Sequence, residues 1–169
     1  MSGATTWTGG TLSGTGTTTA GGGLTISGSA LKTLDGRTLI NSGAGTWSGT
    51  GNIAANNGAA FTNQAGATFT IQNDQSWANG FTGATPTFTN AGTLTKSGGT
   101  NFTTIGGIFN NTGTVDVQSG TLTLSGTVTN TGGTLRAGAG TTLTVSGSLT
   151  NFSGGTLTGG TYNVLGTMR

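Results

Sequence analysis

Eight side chains in this 169-residue chain carry a full charge: Asp35, Asp74 and Asp116 against Lys32, Arg37, Lys96, Arg136 and Arg169. Acid–base cleavage of a glycosidic bond needs two carboxyl groups ~5 Å apart for retention, or ~6.5–9.5 Å apart for inversion. The three aspartates stand 39 and 42 positions apart along the chain. Lys32, Asp35 and Arg37 are neighbours in sequence and read as a solvated charge cluster. There is no His, no Cys and no Glu. Imidazole-activated nucleophiles, disulfides and the usual transition-metal sites therefore have no residues to build them. No complete G-x-G-x-x-G or Walker sequence occurs. Five scattered cations at a net charge of +2 do not make a nucleic-acid footprint. The expectation is a protein that is not an enzyme, with no catalytic residue, no cofactor and no metal.

The elements that must position these side chains are written in an unusual composition. Gly 36, Thr 41 and Asn 14 make just over half the chain, and charged residues are 5%. High Gly alone suggests disorder, but 31% of the residues are apolar and Pro86 is the one proline. Gly and Thr at this density are poor helix formers. No segment approaches the ~18 consecutive apolar residues of a membrane helix, so no membrane insertion is expected.

The apolar residues recur in phase. An apolar residue, one further residue and Asn appear at Leu39–Asn41, Phe61–Asn63, Phe88–Asn90, Phe109–Asn111, Val128–Asn130 and Leu149–Asn151. The Asn spacings are 22, 27, 21, 19 and 21. A Thr–apolar pair follows each: Thr46-Trp47, Thr68-Phe69, Thr93-Leu94, Thr114-Val115, Thr134-Leu135 and Thr156-Leu157. A third anchor reads Leu24–Ile26, Leu122–Leu124 and Leu143–Val145, with Tyr162–Val164 in the same slot and Phe102 with Ile105 filling it less regularly. Three short strands with period-2 alternation, separated by Gly and Asn bends, describe one coil of a solenoid. The predicted fold is all-β, a three-sided parallel β-helix of about 21 residues per coil, with residues 1–169 as one domain. A β-sandwich would also show strands every 8–12 residues, but it has no reason to keep one Asn per coil.

This fold assigns roles. Asn41, Asn63, Asn90, Asn111, Asn130 and Asn151 would stack as a structural ladder of side-chain amides. Trp7 and Trp47 would be core residues two coils apart. Successive aspartates would lie about two coils apart, roughly 10 Å along the axis, which keeps them out of a retaining pair. The 27-residue interval marks an insertion, and residues 72–85 are expected to loop out. Asp74, Gln75, Trp77 and Phe81 could contact a sugar there; alternatively Trp77 or Phe81 fills the core where the coil widens. One Thr column (Thr46, Thr68, Thr93, Thr114, Thr134, Thr156) with a partner column (Ser48, Thr70, Thr95, Asp116, Arg136, Thr158) raises ice binding, against two charges in the partner column.

Residues 120–135 (GTLTLSGTVTNTGGTL) and 157–167 (LTGGTYNVLGT) resemble the repeats of very large bacterial surface proteins, the haemagglutinin-like and autotransporter-passenger adhesins. The likeness covers nearly the whole chain and is best from 88 to 167. It implies a right-handed β-helix, export to the cell surface, and a role as stalk, adhesin or filament. It brings no catalytic motif. No signal peptide or translocator is visible, a departure that fits a segment of a longer exported protein. The expected function is a non-catalytic structural module of a bacterial cell-surface or fibrous protein: a rigid rod for adhesion or end-to-end filament assembly, extracellular, with no nucleic-acid partner. The alternatives are a carbohydrate-binding module that takes a surface glycan at 72–85, and an ice-binding Thr face.

Overall fold

In the computed structural model, which describes residues 3–80 and 82–169, the chain forms short strands, most of them four residues long and rich in Thr and apolar residues. Their burial alternates accordingly. In Thr114–Val117 and Thr121–Leu124 the threonines are half-buried, and Val115, Val117, Leu122 and Leu124 are fully buried. Apart from one hairpin, successive strands belong to different sheets, and each pairs in parallel with a strand one coil away. Three parallel sheets of eight, eight and seven strands result, with no helix among the described residues. The architecture is a β-solenoid of about 8 coils with ~21 residues per coil.

One coil illustrates the circuit: Thr114–Val117 lies in the first sheet, Thr121–Leu124 in the second and Thr127–Asn130 in the third. Because register is kept from coil to coil, like side chains pile up. Leu39, Phe61, Phe88, Phe109, Val128 and Leu149 form one inward column of the third sheet. Trp7, Ile26 and Trp47 align in the first sheet, which places the two tryptophans two coils apart. Phe61, Phe69, Trp77, Phe88 and Phe109 form an aromatic cluster at mid-length, with neighbouring ring centroids 4.7–6.4 Å apart. Gly45 makes room for it: a Cβ there would stand 2.7 Å from Phe69 Cδ2 and 3.0 Å from Asn41 Cγ.

Four expectations need correction. Leu24–Ile26 belongs to the first sheet, between Thr5–Trp7 and Ala44–Trp47, and not to the sheet of Leu122–Leu124. Tyr162 likewise sits in the first sheet, where Thr161–Val164 pairs with Thr134–Ala137. The anchor Thr156-Leu157 lies in neither: it pairs antiparallel with Phe152–Ser153 in a hairpin outside the three sheets. Thr46 aligns with Thr70, so Thr68 aligns with Ala44. A two-residue slide of this kind preserves which side chains face inward, so alternation alone does not detect it.

The fourth correction concerns the insertion. Residues 72–75 form an ordinary corner, and Ser76–Asn79 is a strand of the second sheet. The extra length is confined to residues 80–86, where the next coil needs only Gly106 and Gly107. Trp77 points inward, 1% exposed, with its ring centroid 5.6 Å from that of Phe88. It offers no face to a sugar. Phe81 lies outside the described residues. Removing a core aromatic typically costs ~3–5 kcal/mol, against ~0.5 kcal/mol or less for a surface residue. Trp77→Ala is therefore expected to lower the free energy of unfolding by about 3 kcal/mol or more, measured by denaturant titration. A loss within surface scatter would return Trp77 to the exterior.

Candidate functional site

The polar groups that the fold buries are the candidate site, because a hidden polar atom must be partnered or is costly. The third sheet brings five of the six asparagines together at the inward end of successive strands. Asn41 Nδ2 donates to Asn63 Oδ1 at 2.9 Å, Asn63 to Asn90 at 2.8 Å, Asn90 to Asn111 at 2.8 Å and Asn111 to Asn130 at 2.7 Å. The second N–H of each donor has a use as well. It reaches a threonine carbonyl of the next coil: Thr68, Thr93, Thr114 and Thr134, at 2.9–3.2 Å. All five side chains are 0–1% exposed.

The ladder has two ends. Ala20 precedes Asn41 in register, so Asn41 Oδ1 is buried without a donor among the described residues. At the other end Asn130 Nδ2 is buried without an acceptor. Asn151 does not continue the line: it is half-buried, and its Oδ1 accepts from the Asn130 backbone N–H at 2.5 Å. The physical reason is the strand itself. It stops at Leu149, and the chain leaves the coil for the hairpin at 152–157.

Two lysines were not legible as interior residues. Lys96 occupies an inward position between Ile71 and Val117 and is 0% exposed. Its Nζ donates to the Asn73 carbonyl at 2.9 Å, the Gly98 carbonyl at 2.8 Å and Asp74 Oδ1 at 3.0 Å. All three ammonium protons are thereby used. The same Asn73 carbonyl also accepts from Thr103 Oγ1 at 2.7 Å. Burial pushes the Asp74 carboxyl up, but the hydrogen bond and charge of Lys96, with the backbone amides of Asn101 and Thr100, outweigh it and hold it below the ordinary aspartate value. Asp74 is thus a structural counter-ion to Lys96 as well as an expected sugar contact, and Gln75 beside it is half-buried.

Lys32 overturns the solvated-cluster reading. It is 0% exposed, aligned with Ile53, and its Nζ donates to the Ala30 carbonyl at 2.8 Å. Burial lowers its pKa. Asp35 and Arg37 turn elsewhere: Asp35 accepts from Asn57 Nδ2 at 2.6 Å, and Arg37 Nε donates to Thr18 Oγ1 at 2.8 Å. Asp116 pairs with Arg136. Each aspartate therefore has its own partner, and among the described residues no three acidic or metal-ligating side chains converge. The outward columns of the first sheet read Thr25, Thr46, Thr70, Thr95, Asp116, Arg136 and Ala44, Thr68, Thr93, Thr114, Thr134, Thr161. The Asp116–Arg136 pair sits inside the first of them.

Position in the ladder predicts the cost of breaking it. Asn90→Ala strands both Asn63 Nδ2 and Asn111 Oδ1 and should cost about 3 kcal/mol; Asn41→Ala strands only Asn63 Oδ1 and should cost roughly half that. Equilibrium unfolding compares them, and equal losses would deny the ladder its directionality. The lysines predict opposite responses to Met. Lys96→Met takes the counter-ion from Asp74 and the ammonium donor from the Asn73 and Gly98 carbonyls and destabilises, whereas Lys32→Met removes a buried charge and leaves stability unchanged or higher.

Both ion sites also predict pH dependence. The lowered pKa of Asp74 contributes stability above the ordinary carboxylate range, and this is lost as pH falls through its folded value. Wild type should weaken in acid, and Asp74→Asn should weaken less steeply. The lowered pKa of Lys32 means that the unfolded chain holds that proton more tightly. Stability should therefore rise with pH towards the ordinary lysine value, and Lys32→Met should flatten that rise.

Compared with protein-family models, with curated proteins and with solved structures, the chain matches none.

Proposed function

We propose that this chain is a non-catalytic structural module of a bacterial cell-surface or fibrous protein, a rigid rod that spaces, attaches or assembles end to end. The observation that carries the reading is the continuity of the stack. Three parallel sheets run the length of the axis, and the amide ladder joins five consecutive coils within one of them. Eight stacked strands span roughly 35 Å at ~4.8 Å per strand. A solenoid of this kind is stiff because each coil is bonded to its neighbours along the axis by every strand it contains. The resemblance of residues 120–135 and 157–167 to adhesin repeats supports placing such a rod outside the cell.

Exposed apolar side chains near residues 152–165 support end-to-end association. Val164 and Leu165 are 45% and 63% exposed, and Phe152 and Leu157 of the adjoining hairpin are 54% and 42% exposed. Together with the unpaired outer edges of Thr161–Val164 and Thr167–Met168, these side chains give a surface suited to strand addition. Electron microscopy and light scattering of the purified chain test the reading. Rods joined lengthwise are expected, and Leu165→Asp with Phe152→Asp should return them to single particles. Monodisperse monomers of the wild type at high concentration would contradict it.

A further inference from the structure

Thr85 contributes to the wall of a groove of about 460 Å³ at the corner between the second and third sheets. Ser76, Thr85, Thr104, Ser125 and Thr127 bring hydroxyl groups to it, and Gly107 lies between them. No charged side chain among the described residues lines it. The wall is held from both sides. Asn57 N–H donates to the Thr82 carbonyl at 3.1 Å and Gly58 N–H to the Ala84 carbonyl at 2.7 Å, which tie the insertion to the preceding coil. The Pro86 carbonyl accepts from Ile108 N–H at 2.9 Å, which ties it to the next. Thr85 is therefore fixed before any ligand arrives.

Three glycines, Gly106, Gly107 and Gly126, lie in the lining. A Cβ on Gly126 would collide with the Gly107 carbonyl, and one on Gly107 would lie 2.5 Å from the Pro86 carbonyl. Along the axis, Ser76, Thr104 and Thr123 stand in register on consecutive coils of the second sheet, a hydroxyl column at ~4.8 Å intervals. On the same outward face, two residues before Thr104 and ~6.6 Å away along the strand, Phe102 is 62% exposed. It is the one large aromatic side chain exposed on this face among the described residues.

We propose that this groove binds a neutral glycan chain laid along the solenoid axis, with Phe102 as the stacking platform. An uncharged row of hydroxyl and backbone groups satisfies sugar hydroxyls without offering a counter-charge to a uronate, sialate or phosphate. The repeat of one hexose in an extended chain is close to the spacing between coils, so successive sugars meet the same groups on successive coils. An aromatic face exposed beside such a column covers the apolar face of a pyranose. The site differs from the 72–85 set expected from sequence: Trp77 is interior, Asp74 is held by Lys96, and Phe102 supplies the aromatic surface. It does not depend on the rod reading, since assembly-deficient Leu165→Asp keeps the groove.

The test is an array of neutral plant, microbial and animal glycans, with uronate- and sialate-bearing glycans alongside, probed with the full chain and followed by titration of the best neutral binder. Binding to a neutral glycan is expected. Phe102→Ala should weaken it about fivefold to tenfold, and Ser125→Trp, which fills the groove, should abolish it. Both variants should keep the wild-type unfolding midpoint, and Phe152→Ala, at the far end, should bind as wild type does. The proposal is overturned by no binding to any neutral glycan, by preference for the charged ones, or by neutral-glycan binding that survives both groove variants.

Discussion

A buried side-chain amide has two N–H groups and a carbonyl oxygen to satisfy, and the solenoid meets all of these by a single translation. Moving one coil along the axis carries each Asn oxygen to the amide of its neighbour and each threonine carbonyl to the remaining N–H. The requirement acts on the whole coil. Corners of unequal length are tolerated: Thr68, Thr93, Thr114 and Thr134 follow the Asn of their own coil by five, three, three and four residues, and each carbonyl still meets the amide of the preceding coil. The larger irregularities lie away from the ladder: the insertion at 80–86 lies before its Asn, and the hairpin at 152–157 follows the point where the ladder ends. Apolar burial gives the core its cohesion, and the ladder gives it phase.

The same logic accounts for Lys96. An ammonium group inside a solenoid is tolerable where several acceptors converge: the corner after Ile71 supplies the Asn73 carbonyl and the Asp74 carboxylate, and the corner after Lys96 supplies the Gly98 carbonyl. Corners are where backbone carbonyls leave the sheet ladder and become available to side chains. Lys96 and the asparagines therefore solve one problem in two ways, each using the turn of the chain to bind coil to coil. The Lys32 amine, with the Ala30 carbonyl as its acceptor, is the less complete version of that arrangement.

Much of the fold was legible because its period is chemical. The first anchor was readable because Asn is confined to one corner by its hydrogen bonds, and the coil length follows from it. The strand slots of Leu24–Ile26 and Tyr162–Val164 were misread because all three sheets use the same Thr-apolar alphabet. A segment of that pattern fits any of them until the corners are counted. Lys32 and Lys96 looked like surface charges because no local sequence signal reports that corner carbonyls, at Ala30 and Gly98 nearby and at Asn73 one coil away, will turn to meet them. Trp77 was ambiguous for a related reason. Its polar neighbours Asn73, Asp74 and Gln75 suggest a surface loop, yet Asn73 and Asp74 are engaged by Lys96 and the strand begins at Ser76. The groove depended on the insertion, the glycine corner and Phe102 converging from different coils, which spacing alone does not reveal.

Hydrogen exchange of the asparagine side-chain amides, followed by NMR, tests the ladder most directly. Nδ2 protons of Asn41, Asn63, Asn90 and Asn111 should exchange as slowly as the strand backbone around them, while those of exposed Asn101 exchange freely. Uniformly fast exchange at all four positions would mean that the amides are not joined coil to coil, and the account of how this chain keeps its register would be wrong.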